Sequence, residues 1–359
     1  MRNTKRFASL AAIALLGLTA AACGSDGSST TTNAPEGTQA AAGTTPAGTT
    51  PAAASAIVAG VAFDTGGRGD GTFNDSAGRG LDKAVSELGV TKIELDAVKD
   101  EDRASNLNLL VQQKANPIIG VGFLFGDSML PLAQANPDTT FAIVDSVVDA
   151  PNVRSLVFAE HEGSFLVGAA AALKSKTGHI GFIGGQEIDL IKKFEAGYIA
   201  GAKAVNPDII VDSKYLGPAG DNSAWGNVAG AKEIAKGWYD AGADVIYTAA
   251  GGSGAGTIQA AVEADKWAIG VDSDQYLVAK PDEQKHILTS MLKQVDVAVF
   301  DTIKAVADGD TKGGVITFDL KSDGVGYATS GGYLDDIKDK LDAYKADIIS
   351  GKIVVPTKP

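Results

Sequence analysis

Short β-branched runs alternate along most of this chain with stretches whose apolar residues recur at helical spacing. Residues 57–63, IVAGVAF, are the first such run. Ala77, Leu81, Ala84, Val85 and Leu88 then share one helical face, and Gly89 follows as a stop signal. Runs at 92–98, 117–123 and 139–144 predict three more strands, each after a helical stretch. The alternation restarts at 179–183 and continues through 209–215, 244–248 and 267–271. Such alternation predicts right-handed crossovers and parallel sheets with helices on both faces. The roughly 300 residues from Ala56 onward exceed what one core usually serves, so two lobes are expected.

The halves echo one another. Residues 116–123 (NPIIGVGF) and 244–252 (DVIYTAAGG) each lead through a short loop into a helical pattern. The next run ends Ile143-Val144-Asp145-Ser146 in the first half and Gly270-Val271-Asp272-Ser273 in the second. Each lobe thus places an Asp at the carboxyl end of its fourth strand, the edge where open α/β sheets bind ligands. Two such edges facing each other would make a cleft. The plainer alternative is that both acids cap the segments that follow them.

The N-terminal stretch has a different pattern. Lys5 and Arg6 precede the apolar run 7–22, which has the length of a signal-peptide core and no stop-transfer pattern behind it. It ends at Cys23, the only cysteine in 359 residues, where a lipoprotein signal would be cut and the new N-terminus acylated. Ala20 stands where a lipobox usually has Leu, and ordinary cleavage after Ala20-Ala21-Ala22 is the alternative. Residues 23–55 are Ser, Thr, Gly, Pro and Ala with almost no large apolar side chain, and read as a flexible tether. Removal of residues 1–22 takes away Arg2, Lys5 and Arg6 and moves the formal charge from −13 to −16. That acidity disfavours a nucleic-acid partner.

Between the first strand and first helix lies Asp64-Thr65-Gly66-Gly67-Arg68-Gly69-Asp70-Gly71-Thr72-Phe73-Asn74-Asp75-Ser76. The order strand, glycine loop, helix suggests a phosphate cradle, but the spelling does not. The dinucleotide pattern fails at Thr72, and no Gly-Lys-Ser/Thr follows. Asp64, Asp70 and Asp75 would repel a phosphate from the helix N-terminus, so a neutral ligand with hydroxyl or amino donors is expected. Arg68-Gly69-Asp70 spells an adhesion tripeptide and is read as coincidence in a turn. His161, His179 and His286 lack metal spacing, and residues 319–323 lack a calcium-loop pattern. The Gly-x-Ser-x-Gly spelling fails at Ala255, so no metal, cofactor or nucleophile elbow is expected.

Segments spread in order along the chain resemble the basic membrane protein family of substrate-binding lipoproteins, purine nucleoside receptors that feed ABC importers. Asp64 with Gly71-Thr72-Phe73-Asn74-Asp75-Ser76 is similar to the family's D-x-S-F-N-[DQ] opening, with Thr72 for Ser and extra glycines. Phe158 to Gly168 is similar to F-x-x-x-E-G-x-[FY]-L-x-G. Gly181-Phe182-Ile183-Gly184-Gly185 and Lys193-Phe194-Glu195-Ala196-Gly197-Tyr198 resemble its next pair, with Lys193 for Arg. Residues 250–256, 269–275 and 288–293 complete the match.

The resemblance implies the type I periplasmic-binding-protein fold: two doubly wound α/β lobes with parallel sheets, joined by hinge strands. By that analogy residues 56–175 form lobe 1 and 176–290 lobe 2. The chain would cross near Lys176 and return near Met291, and 291–359 would supply hinge crossovers and elements of both lobes. It also implies a nucleoside with its base stacked on Phe73 and Phe194. Asp64 and Asn74 would serve the base or adjacent sugar groups, Asp145, Asp272 and Lys293 the ribose, and Asp75 is a further ligand-binding candidate. Gly251 would let backbone approach the ligand. For Phe73 and Phe194, plain core packing is the alternative. The chemistry agrees, because carboxylates accept from ribose hydroxyls and a purine face stacks on an aromatic ring. The expected protein is a monomeric, non-enzymatic receptor, lipid-anchored through Cys23 on the outer face of the cell membrane and docking on ABC permease subunits. A sugar or polyol receptor is the alternative within the fold, and a nucleoside hydrolase-like enzyme the alternative outside it.

Overall fold

The computed structural model describes residues 57–359. The expected signal peptide, the tether and Cys23 lie outside the described residues. In the first lobe the chain runs β1 (Val58–Phe63), α1 (Phe73–Leu88), β2 (Thr91–Asp96), α2 (Asp100–Gln112), β3 (Ile118–Val121), α3 (Gly126–Ala135), β4 (Phe141–Val144) and β5 (Val153–Phe158). The second lobe follows with α4 (Glu160–Lys174), β6 (His179–Gln186), α5 (Asp189–Val205), β7 (Ile210–Gly217), α6 (Val228–Asp240) and β8 (Val245–Ala249). It continues through α7 (Gly254–Ala264), β9 (Trp267–Asp272), α8 (Pro281–Gln284) and β10 (Ile287–Lys293). The last segment adds α9 (Val295–Ala307), β11 (Gly314–Phe318), β12 (Val325–Tyr327) and α10 (Lys338–Ile349).

The strands form two six-stranded sheets, ordered β11-β5-β4-β3-β1-β2 and β12-β10-β9-β8-β6-β7. The first is parallel throughout, and in the second only β12 runs antiparallel, against β10. Each lobe therefore repeats one plan, with its second strand at an edge and its first strand next to it. Central strands such as β3 (IIGV) and β8 (VIYTA) are buried along their whole length, as both faces of a parallel sheet require. Edge strand β2 is spelled TKIELD and is exposed at both ends, with charges that discourage further pairing.

Among the described residues three connections join the lobes, and they lie side by side. Ala159 N–H donates to Phe318 O at 2.9 Å, and Gln294 N–H donates to Gly324 O at 3.0 Å. The first passage falls at Ala159, one helix earlier than the expected crossing near Lys176. Helix α4 packs on α5 of the second lobe, and glycines are the reason. A Cβ on Gly168 would sit 2.1 Å from Tyr198 O, on Gly197 2.1 Å from His161 O, and on Gly201 1.9 Å from Phe165 O. Only bare glycine lets the two backbones approach so closely. The return passage is at Gln294, after β10. Gly80 similarly admits α9 against α1, since its Cβ would meet Asp296 O at 2.2 Å.

Candidate functional site

The loop after β1 is tied by its own acids. Asp70 Oδ1 accepts from the backbone N–H of Thr72 (2.9 Å) and Asp75 (3.2 Å). Its Oδ2 accepts from Asn74 N–H (2.9 Å) and Asn74 Nδ2 (3.1 Å). Asp70 thus satisfies first-turn amides of α1 that no helical carbonyl can reach. Burial pushes its carboxyl above the ordinary value, against the pull of these hydrogen bonds. Asp75 turns the other way and accepts from Gly69 N–H (2.9 Å) and Gly71 N–H (2.8 Å). Arg68 donates to Glu94 (2.7 Å) and Asp82 (2.9 Å), so the tripeptide Arg68-Gly69-Asp70 is committed to the loop's own structure.

Two aspartates stand at matching strand ends. Asp145 follows β4 with φ 69°, and Asp272 ends β9 with φ 63°. Both adopt the left-handed conformation that Asp tolerates better than most residues, which turns the chain sharply at the sheet edge. Asp145 Oδ2 accepts from Lys293 Nζ at 2.6 Å, and its Oδ1 is buried with no hydrogen-bond partner. Asp272 Oδ2 accepts from Thr72 Oγ1 of the first lobe at 3.2 Å. Ser273 Oγ donates to Thr72 O at 2.7 Å, a second bond between the lobes. Burial is the main force pushing the Asp272 carboxyl up to about 7; Asp145 and Asp70 add repulsion, while Lys293 and the Thr72 hydrogen bond oppose.

Lys293, the last residue of β10, is the buried cation of the site. Its Nζ lies 3.6 Å from Glu160 Oε1, and Glu160 Oε2 accepts from Lys193 Nζ at 3.2 Å. Burial alone would lower the Lys293 pKa, but Asp145, Glu160 and Asp272 outweigh it and raise it. The amine also sits 4.9 Å from the Phe158 ring centroid, 5.2 Å from Phe73 and 5.7 Å from Phe194. At these distances a cation is attracted by the ring faces. Glu160 is fully buried, and burial pushes its carboxyl up, with Lys293 opposing and Asp145 adding to the shift.

Asp145, Asp272, Lys293, Phe73 and Phe194 help line a cavity of about 240 Å³ between the lobes. That is on the order of twenty times the space one water needs. From the first lobe Asp64, Asp70, Phe73, Asn74, Phe123 and Asp145 line it. From the second come Ile191, Phe194, Trp225, Gly251, Asp272 and Lys293. Gly251, with φ 56°, starts the turn after β8 and presents backbone to the cavity. Phe194 belongs to the core cluster and to the cavity wall at once. The structure brings eight of the nine sequence-derived ligand candidates to one cavity; Asp75 is the one it keeps in the loop.

The sequence assigns no ligand contact to Trp225, Phe123 or Glu160, and gives Asp70 only a part in the loop's negative charge. Trp225 carries a usable signal: it is a large aromatic at the end of the polar stretch Gly217-Pro218-Ala219-Gly220-Asp221-Asn222-Ser223-Ala224, much as Phe73 stands at the end of the glycine loop. Its ring meets Phe123 of the first lobe edge to face, centroids 6.2 Å apart at 70°. Among the described residues no group of three His, Cys, Asp or Glu side chains is placed to hold a metal ion.

A family model described as Bmp, ABC transporter substrate-binding protein PnrA-like, matches residues 57–358. The ABC transporter nucleoside-binding protein BmpA of Lactococcus lactis is 38% identical over 321 residues, covering 84% of this chain and 90% of that protein. Basic membrane protein A of Borreliella burgdorferi is 33% identical, with 80% of this chain and 84% of that protein covered. Among solved structures, an ABC transporter solute-binding protein of Aeropyrum pernix superposes with a TM-score of 0.71 at 28% identity. That match covers 84% of this chain and 94% of the other. The two parallel-sheet lobes are those of the periplasmic-binding-protein fold.

Proposed function

Because the chain belongs to the Bmp family of PnrA-like ABC transporter substrate-binding proteins, we propose that it captures purine nucleosides between its lobes and delivers them to a permease for import. The observation that carries this reading is the pairing of aromatic walls with strand-end carboxylates around one buried lysine. A purine base fits between Phe73 and Phe194, with Trp225 as a further wall, and stacking one base on an aromatic ring is worth about 1–3 kcal/mol. Ribose hydroxyls donate to Asp145 and Asp272, and Lys293 donates to a ribose oxygen. The unpartnered Oδ1 of Asp145 is an acceptor in want of such a donor. Asp64 and Asn74 face the base or its adjoining sugar atoms, and the Gly251 backbone closes the contact.

The same groups argue for a neutral ligand. Asp64, Asp70, Asp145 and Asp272 line the cavity, and Lys293 is the sole cation among its lining residues. A nucleotide phosphate would enter against that field. The relative from Lactococcus lactis is named a nucleoside-binding protein, which supports a nucleoside over a simple sugar. No chemical step is assigned to the site. We place the protein outside the cytoplasm as a monomer held by acyl chains on Cys23.

Calorimetric titration and thermal shift with adenosine, guanosine, inosine, their free bases, their monophosphates and hexoses test the proposal. A nucleoside should stabilise the protein most, because a ligand that binds only the native state raises its apparent stability. A larger shift with any hexose than with every nucleoside would establish the sugar-receptor alternative. Release of free base during incubation would establish an enzyme.

A further inference from the structure

A chain of hydrogen bonds leaves the cavity at Asp64 and crosses from the first lobe to the second. Arg103, on α2, is 4% exposed and uses three donors of its planar guanidinium. Its Nε donates to Asp64 Oδ1 at 2.7 Å, its Nη1 to Asp100 Oδ1 at 2.7 Å, and its Nη2 to Thr65 Oγ1 at 3.1 Å. The same Asp100 Oδ1 accepts from Asn222 Nδ2 of the second lobe at 2.9 Å. Asn222 Oδ1 in turn accepts from Gln186 Nε2 at 2.8 Å, and Gln186 Oε1 accepts from Gly220 N–H at 2.9 Å. The far end is as firmly held as the near one, since Gln186 closes β6 and is 1% exposed.

Asn222 opens the short turn Asn222–Trp225, whose tryptophan lines the cavity and meets Phe123 across the cleft. The chain therefore links a carboxylate that faces the ligand to the segment that carries one wall of the site. A single exposed hydrogen bond contributes little by itself. Here both partners are oriented from behind by buried groups, Arg103 on one side and Gln186 on the other. The Asp100 carboxyl is held below its ordinary value, first by the Arg103 hydrogen bond and then by that from Asn222. A lysine at 103 would keep the charge beside Asp64 but could not reproduce the fork.

We propose that Arg103 is a positioning residue for ligand capture: its guanidinium couples the orientation of Asp64 to the cross-lobe bond between Asp100 and Asn222, so that ligand contact and seating of the Asn222–Trp225 turn occur together. The proposal rests on the reading that the interlobe cavity is the nucleoside site. Coupling of this kind is an energy shared between two places, and it shows as non-additivity when both are perturbed.

The test uses Arg103→Lys, Asn222→Ala and the double variant, with adenosine, guanosine and inosine as probes and tryptophan fluorescence followed by stopped flow. Each single change should raise the dissociation rate about three- to tenfold, the scale of one hydrogen bond, with the association rate nearly unchanged. The double variant should dissociate no faster than the worse single variant, because both changes break one chain. Rate effects that multiply in the double variant overturn the proposal, since a purely structural Arg103 would leave the Asn222→Ala effect intact. A second arm needs no ligand: amide hydrogen exchange across residues 222–225 should quicken in Arg103→Lys, although the substitution lies in the other lobe. Unchanged exchange there overturns the coupling. A parent protein that binds none of the three nucleosides instead overturns the nucleoside reading, and the exchange arm still decides the coupling.

Discussion

Asp272→Asn should make this protein more stable at alkaline pH while weakening its grip on ligand. The carboxyl is pushed from an ordinary 3.8 up to about 7, with burial as the main cause. For an acid raised in the folded state, the stabilising contribution is complete below the unfolded value near 4 and is lost as pH rises through the folded value near 7. The shift is about three units, so ionising Asp272 in place costs the native state about 4 kcal/mol by pH 8. Asparagine keeps the shape and does not titrate. The stability advantage of the variant over the parent should therefore grow between pH 4 and pH 8, up to about 4 kcal/mol, because other acids titrate in both proteins and largely cancel. Urea unfolding of both proteins at pH 4, 5, 6, 7 and 8 measures that difference. Affinity should move in the opposite sense. An ionised acceptor holding a ribose hydroxyl contributes about 1.5–3 kcal/mol, so nucleoside binding at pH 8 should fall roughly ten- to 150-fold in the variant. Parent affinity should also rise from pH 6 to pH 8, and variant affinity should stay flat over that interval. A stability difference that does not change with pH, or a variant that binds like the parent, would refute the placement of a strained, ligand-facing carboxylate at Asp272.

Phe194→Leu and Phe73→Leu should each weaken nucleoside binding by about 1–3 kcal/mol in calorimetric titration. An unchanged affinity for either would return that ring to the core alone. Gly201→Ala should destabilise the protein by about 3 kcal/mol or more in thermal melts, because its Cβ would sit 1.9 Å from Phe165 O in the α4–α5 contact. Normal stability would show that α4 and α5 can part without cost. Cys23→Ala should move the protein from the membrane fraction to the soluble one, since an acidic chain without acyl groups is repelled by an anionic bilayer; continued pelleting would refute anchoring at that residue.

The architecture was legible because its signals are local. Alternating β-branched runs and helical patterns marked eight strands, and the run 117–123 overlaps the observed β3 (Ile118–Val121). The echo between Val144-Asp145-Ser146 and Val271-Asp272-Ser273 located two acids that the fold does place at corresponding strand ends, both in the left-handed conformation. The alternation leaves β5, β10, β12 and β11 unmarked, and β11 shows the reason. Its sequence Gly314–Phe318 is largely exposed at the edge of the first sheet, and its pairing with β5 joins residues far apart in the chain.

What the amino-acid sequence determined by itself was therefore whatever a residue expresses over a few neighbours: strand and helix periods, glycine turns, a capping acid, an isolated cysteine, an Asp at a strand end. Tertiary structure decided the rest, because the deciding energies arise between distant segments. Lobe membership of α4 depends on Gly168, Gly197 and Gly201 meeting carbonyls of the opposing helix. Asp75 reads like Asp64 and Asp70 in sequence, but the fold of the loop turns its carboxylate onto Gly69 and Gly71 and away from the cavity. Lys293 becomes a buried cation only when Asp145 arrives from one lobe and Glu160 from the first hinge. Arg103 meets Asp100 within its own helix, but Asp64 and Asn222 reach that pair from segments far away in the chain, Asn222 from the opposite lobe.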